Sequence, residues 1–219
     1  IDAFDNSVLA YDILGHGKTP LNKENISFDD FSNQLINLLD ELKIDKIHLI
    51  GFSIGSLIAR NFATKFNDRL KSLTLLCSIF RRNQEQQQMV KDRFELAKKS
   101  NVLSKQALKR WFTEEYLEKN PNTYKKISSI LNENNIDNFL KVYSLFVNHK
   151  DDEDFNNIKT KTLIMTGEND TGSTPEMSKN LGKVISETKV IIIPKGKHLC
   201  GIECVDDVNI NIKKFIENA

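Results

Sequence analysis

Two hydrophobic periods take turns along this chain. Val8-Leu9-Ala10-Tyr11 is a short apolar run that ends at Asp12 and the loop Gly15-His16-Gly17, which predicts a buried strand feeding a glycine-bearing turn. Phe28 to Leu42 carries Phe31, Leu35, Leu38, Leu39 and Leu42 at helical spacing, with Ser27 placed to cap the helix. Lys46 to Phe52, Leu70 to Cys77, Thr162 to Thr166 and Lys189 to Ile193 read as further strands. Ser53 to Phe66 and Glu203 to Ile216 read as helices. Strands that are apolar throughout and alternate with helices predict an α/β fold, with a mostly parallel sheet covered on both faces.

The stretch from Phe80 to Asp154 breaks this rhythm. It is polar, rich in Gln and Lys, and lacks strand signals. Helices are predicted over Gln84 to Lys99, Ser104 to Glu118 and Ile136 to Asn148, with a short one starting at Pro121. A helical block between two strands of a parallel sheet is expected to form a cap over a site. The plainer alternative is a surface excursion with no part in binding. The division is therefore residues 1–79 (first part of the core), 80–154 (cap) and 155–219 (second part of the core).

Composition narrows the function. The 219 residues are 39% hydrophobic and 28% charged, enough for one core with an insertion. Lys plus Arg number 31 against 30 Asp plus Glu, a net charge of +1 that gives no footprint for nucleic acid or an anionic membrane surface. No run approaches the ~20 apolar residues that span a bilayer. Three Cys form no disulfide framework, which fits a reducing, cytoplasmic setting.

Gly51-Phe52-Ser53-Ile54-Gly55 is a G-x-S-x-G between a predicted strand and a predicted helix. A turn this tight strains the serine backbone and exposes its hydroxyl above the sheet. The two glycines are expected to let strand and helix approach closely. The Ile54 N–H, at a helix start, can face a developing oxyanion. A serine nucleophile needs a base and an acid to orient that base. Among the four histidines, His48 lies in an apolar strand and reads as core, and His149 ends a helix and reads as solvated or capping. His16 sits between glycines. His198 follows the last strand across Pro194-Lys195-Gly196-Lys197, where a late base belongs. Asp170, after the strand ending at Thr166, is the expected acid, with Glu168 as its competitor. The remaining reading of Ser53 is an ordinary helix cap. His198, Cys200 and Cys204 invite a zinc reading, but no fourth ligand stands at usable spacing, so no metal is expected. Arg81, Arg82, Lys91 and Arg93 read as solvated helix surface, with the alternative that a substrate carboxylate uses one arginine of this face.

The order Ser53, Asp170, His198 and the loop Asp12-Ile13-Leu14-Gly15-His16-Gly17-Lys18-Thr19 resemble the α/β-hydrolase superfamily, where Ser usually stands in place of Thr19. Gly51 to Arg60, Arg110-Trp111-Phe112-Thr113, Gly167 to Pro175, and His198-Leu199-Cys200 with Glu203 are most similar to the 3-oxoadipate enol-lactonase group. Ser56 departs from a glycine common after the elbow. The resemblance implies hydrolysis of a small carboxylic ester or lactone without a cofactor. The same triad serves carboxylesterases, thioesterases and acyl-carrier methyl-ester esterases, and a non-catalytic ligand-binding homologue is the reading of another class. A lactone with a free carboxylate calls for a cation or several donors in the pocket. Adjacent helix residues point about 100° apart, so one of Arg110 and Trp111 is expected to line the pocket, with Trp111 as the wall and Arg110 at the rim. The resemblance also implies earlier strands and an oxyanion loop. The polypeptide is therefore expected to extend some tens of residues before Ile1, with the second oxyanion donor there.

Overall fold

The computed structural model describes residues 4–99 and 103–219. Strands β1 (Ile47–Phe52), β2 (Leu70–Leu76), β3 (Thr162–Gly167) and β4 (Thr188–Ile193) form one parallel sheet in that spatial order. Registers run from Ile47 opposite Leu70, through Leu73 opposite Thr162, to Thr162 opposite Thr188. Side chains alternate between faces along each strand. Leu73, Leu75 and Ile164 thus enter one core, while Leu76, Leu163 and Met165 enter another.

Helices cover both faces. Helices α1 (Phe28–Glu41) and α2 (Ile54–Lys65) supply Leu35, Leu39, Leu57 and Phe62 to the first core. The Ser27 N–H donates to the Asp30 carboxylate at 2.9 Å, which closes the start of α1. Among the described residues between β2 and β3 lie the helices α3 (Gln84–Lys99), α4 (Leu103–Trp111), α5 (Glu114–Lys119), α6 (Pro121–Glu133) and α7 (Ile136–Asn148). Helix α3 packs on α7, and α4 on α6. Helix α8 (Pro175–Leu181) adds Met177 and Leu181 to the first core. After the four-residue α9 (Cys200–Glu203), helix α10 (Val205–Ile216) adds Val208 and Ile212 to the second. Among the described residues, no helix is long and apolar enough to cross a membrane.

Three expectations are corrected. Val8–Tyr11 is not a strand, and Val8 and Leu9 are 44% and 46% exposed. A strand exists only through a neighbour that takes its backbone hydrogen bonds, and among the described residues no ladder reaches this segment. The helix expected over Ser104 to Glu118 is broken after Trp111. There the Thr113 hydroxyl accepts from the Tyr116 N–H at 3.2 Å and starts α5. The stretch from Pro121 is a full 13-residue helix, its first turn suited to proline's missing N–H. Helix α8 was not anticipated, although Thr174-Pro175 signals it: the Thr174 hydroxyl accepts from the Met177 N–H at 3.2 Å.

The two ends of the helical insertion meet at a buried charge cluster. Arg60 of α2 has no exposed surface. Its guanidinium donates to the Ile79 carbonyl at 2.9 Å and to Asp151 and Glu153 at 2.7 Å each. The Arg81 N–H donates to the other Asp151 oxygen at 2.7 Å. His149, expected to be solvated or capping, is the C-cap residue of α7 but has a buried ring 3.2 Å from Asp151. The cluster's charge binds it there.

Burial opposes ionisation of Asp151, but hydrogen bonds from His149, Arg60 and the Arg81 N–H, with the Arg60 charge, hold its pKa well below the usual carboxylate range. A carboxylate with a depressed folded-state pKa adds stability that is present above its unfolded pKa, about 3.9, and lost as pH falls toward the folded value. Chemical denaturation is expected to show stability falling from about pH 4 downward, and Asp151→Asn to flatten that part of the curve. A variant with an unaltered acid limb would contradict the assignment.

Candidate active site

All four strands run parallel, so their C-terminal ends share one edge of the sheet, where ligands bind in open α/β sheets. Ser53 follows β1, Asp170 follows β3 and His198 follows β4. Chain positions far apart thus converge. Ser53 Oγ lies 3.0 Å from His198 Nε2, and His198 Nδ1 lies 2.7 Å from Asp170 Oδ2.

The turn at Ser53 is strained, with φ 52° and ψ −118°, a conformation that costs a non-glycine residue roughly 1–3 kcal/mol. It is held by the Ser53 N–H, which donates to the Leu76 carbonyl at 2.9 Å, and by the Ser53 carbonyl, which accepts from the Ser56 N–H at 2.9 Å. Ser56 fits without strain: its buried hydroxyl donates to the same carbonyl at 2.5 Å. The two elbow glycines differ in role. A Cβ on Gly51 would lie 2.3 Å from the Gly55 carbonyl oxygen, so Gly51 permits the close approach. A Cβ on Gly55 would meet nothing within 4 Å, so sterics do not require glycine there. Ile54 opens α2, where the N–H has no partner within the helix.

Asp170 is 3% exposed and accepts from the backbone N–H groups of Gly172 at 2.8 Å and Ser173 at 3.0 Å. Burial raises its pKa, but the bond to His198, the His198 charge and these two N–H donors outweigh that and lower it. Its competitor Glu168 is exposed and accepts instead from the Lys195 N–H at 2.9 Å. His198 packs between Phe52 and Trp111, with ring centroids 5.2 and 6.3 Å away.

The His198 loop is tied to the insertion. The Leu199 N–H donates to the Trp111 carbonyl at 2.9 Å. Glu203 accepts from the Thr113 N–H at 3.0 Å, from the Thr113 hydroxyl, and from the Lys197 N–H at 3.1 Å. The break between α4 and α5 therefore sits where Glu203 holds it. The loop is also pressed against β3, since a Cβ on Gly167 would fall 2.3 Å from the Gly196 oxygen and 2.4 Å from the Lys197 oxygen. Gly167→Ala is expected to push the His198 loop aside. Hydrolysis should fall by about 10²-fold, the cost typical of a catalytic group displaced by about 1 Å. Steady-state kinetics alongside a melting curve checks this; wild-type kcat/KM would contradict it.

A cavity of about 540 Å³ opens over Ser53 and His198, a size suited to a small molecule. Arg110 and Trp111 both line it. The expectation that only one would is corrected: both belong to α4, and two long side chains about 100° apart on one helix still reach a cavity of this width. His16 also lines the cavity, while His48 is half-buried on edge strand β1 with Nδ1 2.7 Å from Ser72 Oγ. Sequence reasoning missed Gln86 and Met89 as cavity residues, and read Arg82 and Arg93 as mainly solvated surface, where both line the cavity. Their spacing is that of one helix face, which was the available signal. What it lacked was the packing of α3 on α7, which turns that face inward.

The metal reading finds a different neighbourhood. The ligating atoms gathered around His198 belong to Cys77 and Asp170, not to Cys200 and Cys204. Both His198 nitrogens are engaged by Asp170 and Ser53. A hydrogen bond with Cys200 and burial raise the Cys77 pKa well above the ordinary value, and burial and Glu203 push Cys204 up to about 11.

This elbow, loop order and sheet are those of a family. The model describing the alpha/beta hydrolase fold matches residues 3–203, and the chain belongs to that family. The chain is 23% identical over 216 residues to (E)-2-((N-methylformamido)methylene)succinate hydrolase of Acinetobacter baylyi, covering 97% of this chain and 81% of that one. It is 27% identical over 123 residues to 3-oxoadipate enol-lactonase 2 of the same organism, covering 55% and 45%. The crystal structure of the enol-lactonase from Burkholderia xenovorans LB400 superposes with a TM-score of 0.84 at 22% identity, covering 94% of this chain and 79% of that one.

Proposed function

We propose that this chain is a serine hydrolase that cleaves a small carboxylic ester or lactone through an acyl-enzyme. The observation that carries the reading is the continuous hydrogen-bonded line from Ser53 Oγ through both nitrogens of His198 to Asp170, at 3.0 and 2.7 Å. Ser53 attacks the carbonyl carbon while His198 Nε2 takes its proton. His198 then returns that proton to the leaving oxygen. Asp170, kept anionic by its donors, holds the Nδ1–H tautomer and supports the imidazolium. The Ile54 N–H faces the developing oxyanion, a contact worth about 3–4 kcal/mol in serine hydrolases. Water, activated by the same histidine, releases the acid.

The helices between β2 and β3 act as the cap in this reading, because Trp111 and Arg110 of α4 wall the cavity. The names of two relatives carry succinate and 3-oxoadipate, which supports an enol-lactonase-like substrate. A general esterase or thioesterase uses the same residues, and a non-catalytic binder would keep only the cavity. A fluorophosphonate probe separates enzyme from binder: labelling at Ser53, lost in Ser53→Ala, is expected. An unlabelled folded protein with no hydrolysis across a panel of esters and lactones would sink the reading.

A further inference from the structure

The cavity over Ser53 holds three guanidinium groups: Arg82 just before α3, Arg93 within it, and Arg110 on α4. Among the described residues lining it, the one carboxylate is Asp170, already engaged by His198, Gly172 and Ser173. None of the three arginines forms an ion pair among the described residues. Arg82 is fixed rather than loose. Its Nη1 donates to the Phe146 carbonyl at 3.0 Å, and its guanidinium stacks 4.3 Å over the Phe146 ring. Its Nη2 is buried without an acceptor. A buried charged donor left unpaired is costly, and clustered like charges raise that cost. Burial and the Arg93 charge lower the Arg82 pKa to about 10, and burial and Arg93 lower that of Arg110. The acid whose charge most supports Arg82, Asp151, is itself spent on Arg60. Among the described residues this cationic wall thus has no ion-paired counter-ion, and it stands beside Ser53.

We propose that Arg82, with Arg93 and Arg110, forms a carboxylate-binding wall, so that the substrate carries a free carboxylate besides the group attacked by Ser53. This deepens the serine-hydrolase reading and rests on it for the reacting group, but anion binding by itself does not. Arg82, Arg93 and Arg110 together line the cavity, and a carboxylate bound there meets their combined positive field. These are binding residues that set specificity. The rigid cationic fork of an arginine suits carboxylate and phosphate alike. A carboxylate is favoured because the names of the two relatives carry succinate and 3-oxoadipate.

The test uses Ser53→Ala protein, which isolates binding from chemistry. Calorimetric titration with succinate should show saturable binding that weakens with salt, and dimethyl succinate should bind more weakly. Arg82→Gln should weaken succinate about ten- to a hundredfold, the range for a lost charge-assisted bond. In protein with Ser53 present, kcat/KM for monomethyl succinate should exceed that for dimethyl succinate, and Arg82→Gln should shrink the ratio. If Arg82→Gln does not fold, Arg93→Gln decides by the same measurements. Equal affinity for the diacid and the diester, or unchanged succinate affinity in the folded variants, overturns the proposal. Inorganic phosphate binding more tightly than succinate overturns the carboxylate assignment. Succinate binding without Ser53 labelling would sink the hydrolase and leave the anion wall. Labelling without succinate binding would do the reverse.

Discussion

Ser53→Ala is expected to lower ester or lactone turnover by roughly 10⁴- to 10⁶-fold, with the melting temperature nearly unchanged. The hydroxyl makes one side-chain hydrogen bond, to His198, and the strained turn is held by backbone groups that alanine keeps. His198→Ala should cost as much, because the serine then has no proton acceptor within reach. The double variant should be little worse than either single one, since the two groups act as a unit. Asp170→Asn should cost about 10⁴-fold, by favouring the wrong tautomer of the imidazole. Steady-state kinetics on a chromogenic ester measures all four. Equal damage from His16→Ala would move the base to His16, which also lines the cavity. Full activity in Asp170→Asn would return the acid to Glu168, against its bond to the Lys195 N–H.

The second large effect concerns stability. Arg60→Met is expected to destabilise the protein by about 3–5 kcal/mol, the usual cost of breaking a buried ion pair from one side. That is a large fraction of the 5–15 kcal/mol that holds a typical domain. The reason is the partners left behind. Asp151 and Glu153 side chains are only 5% and 8% exposed, and each loses its 2.7 Å bond to the guanidinium. Arg60 also stacks 5.0 Å from the Phe155 ring, a contact that Met only partly replaces. The damage should extend to the site, because Arg60 belongs to the helix that begins at the elbow and holds both ends of the insertion. Denaturant titration gives the number, and a loss under about 1 kcal/mol would contradict the account. Adding Asp151→Asn to Arg60→Met should recover part of the loss, since one stranded charge is then removed.

Local signals carried a large part of this molecule. Apolar runs marked β1 to β4, most plainly the inner strands β2 and β3, which are buried on both faces and so have no polar alternation to lose. Helices α3 and α7 were legible from spacing. The strand–G-x-S-x-G–helix context singled out Ser53, and chain order singled out Asp170 and His198. The strands, the helices and the elbow rest on neighbours within a few positions, while Asp170 and His198 rested on order along the chain. Other features needed partners remote in sequence. Val8–Tyr11 has strand composition, yet among the described residues no ladder reaches it. The break at Thr113 depends on Glu203, 90 residues away. His149 is buried because Arg60, Asp151 and Glu153 gather around it. Arg82 and Arg93 had the look of solvated helix charges until the packing of α3 on α7 turned them toward Ser53. Period and motif report what a residue does to its own segment. Which face of that segment meets another is decided only when the segments pack.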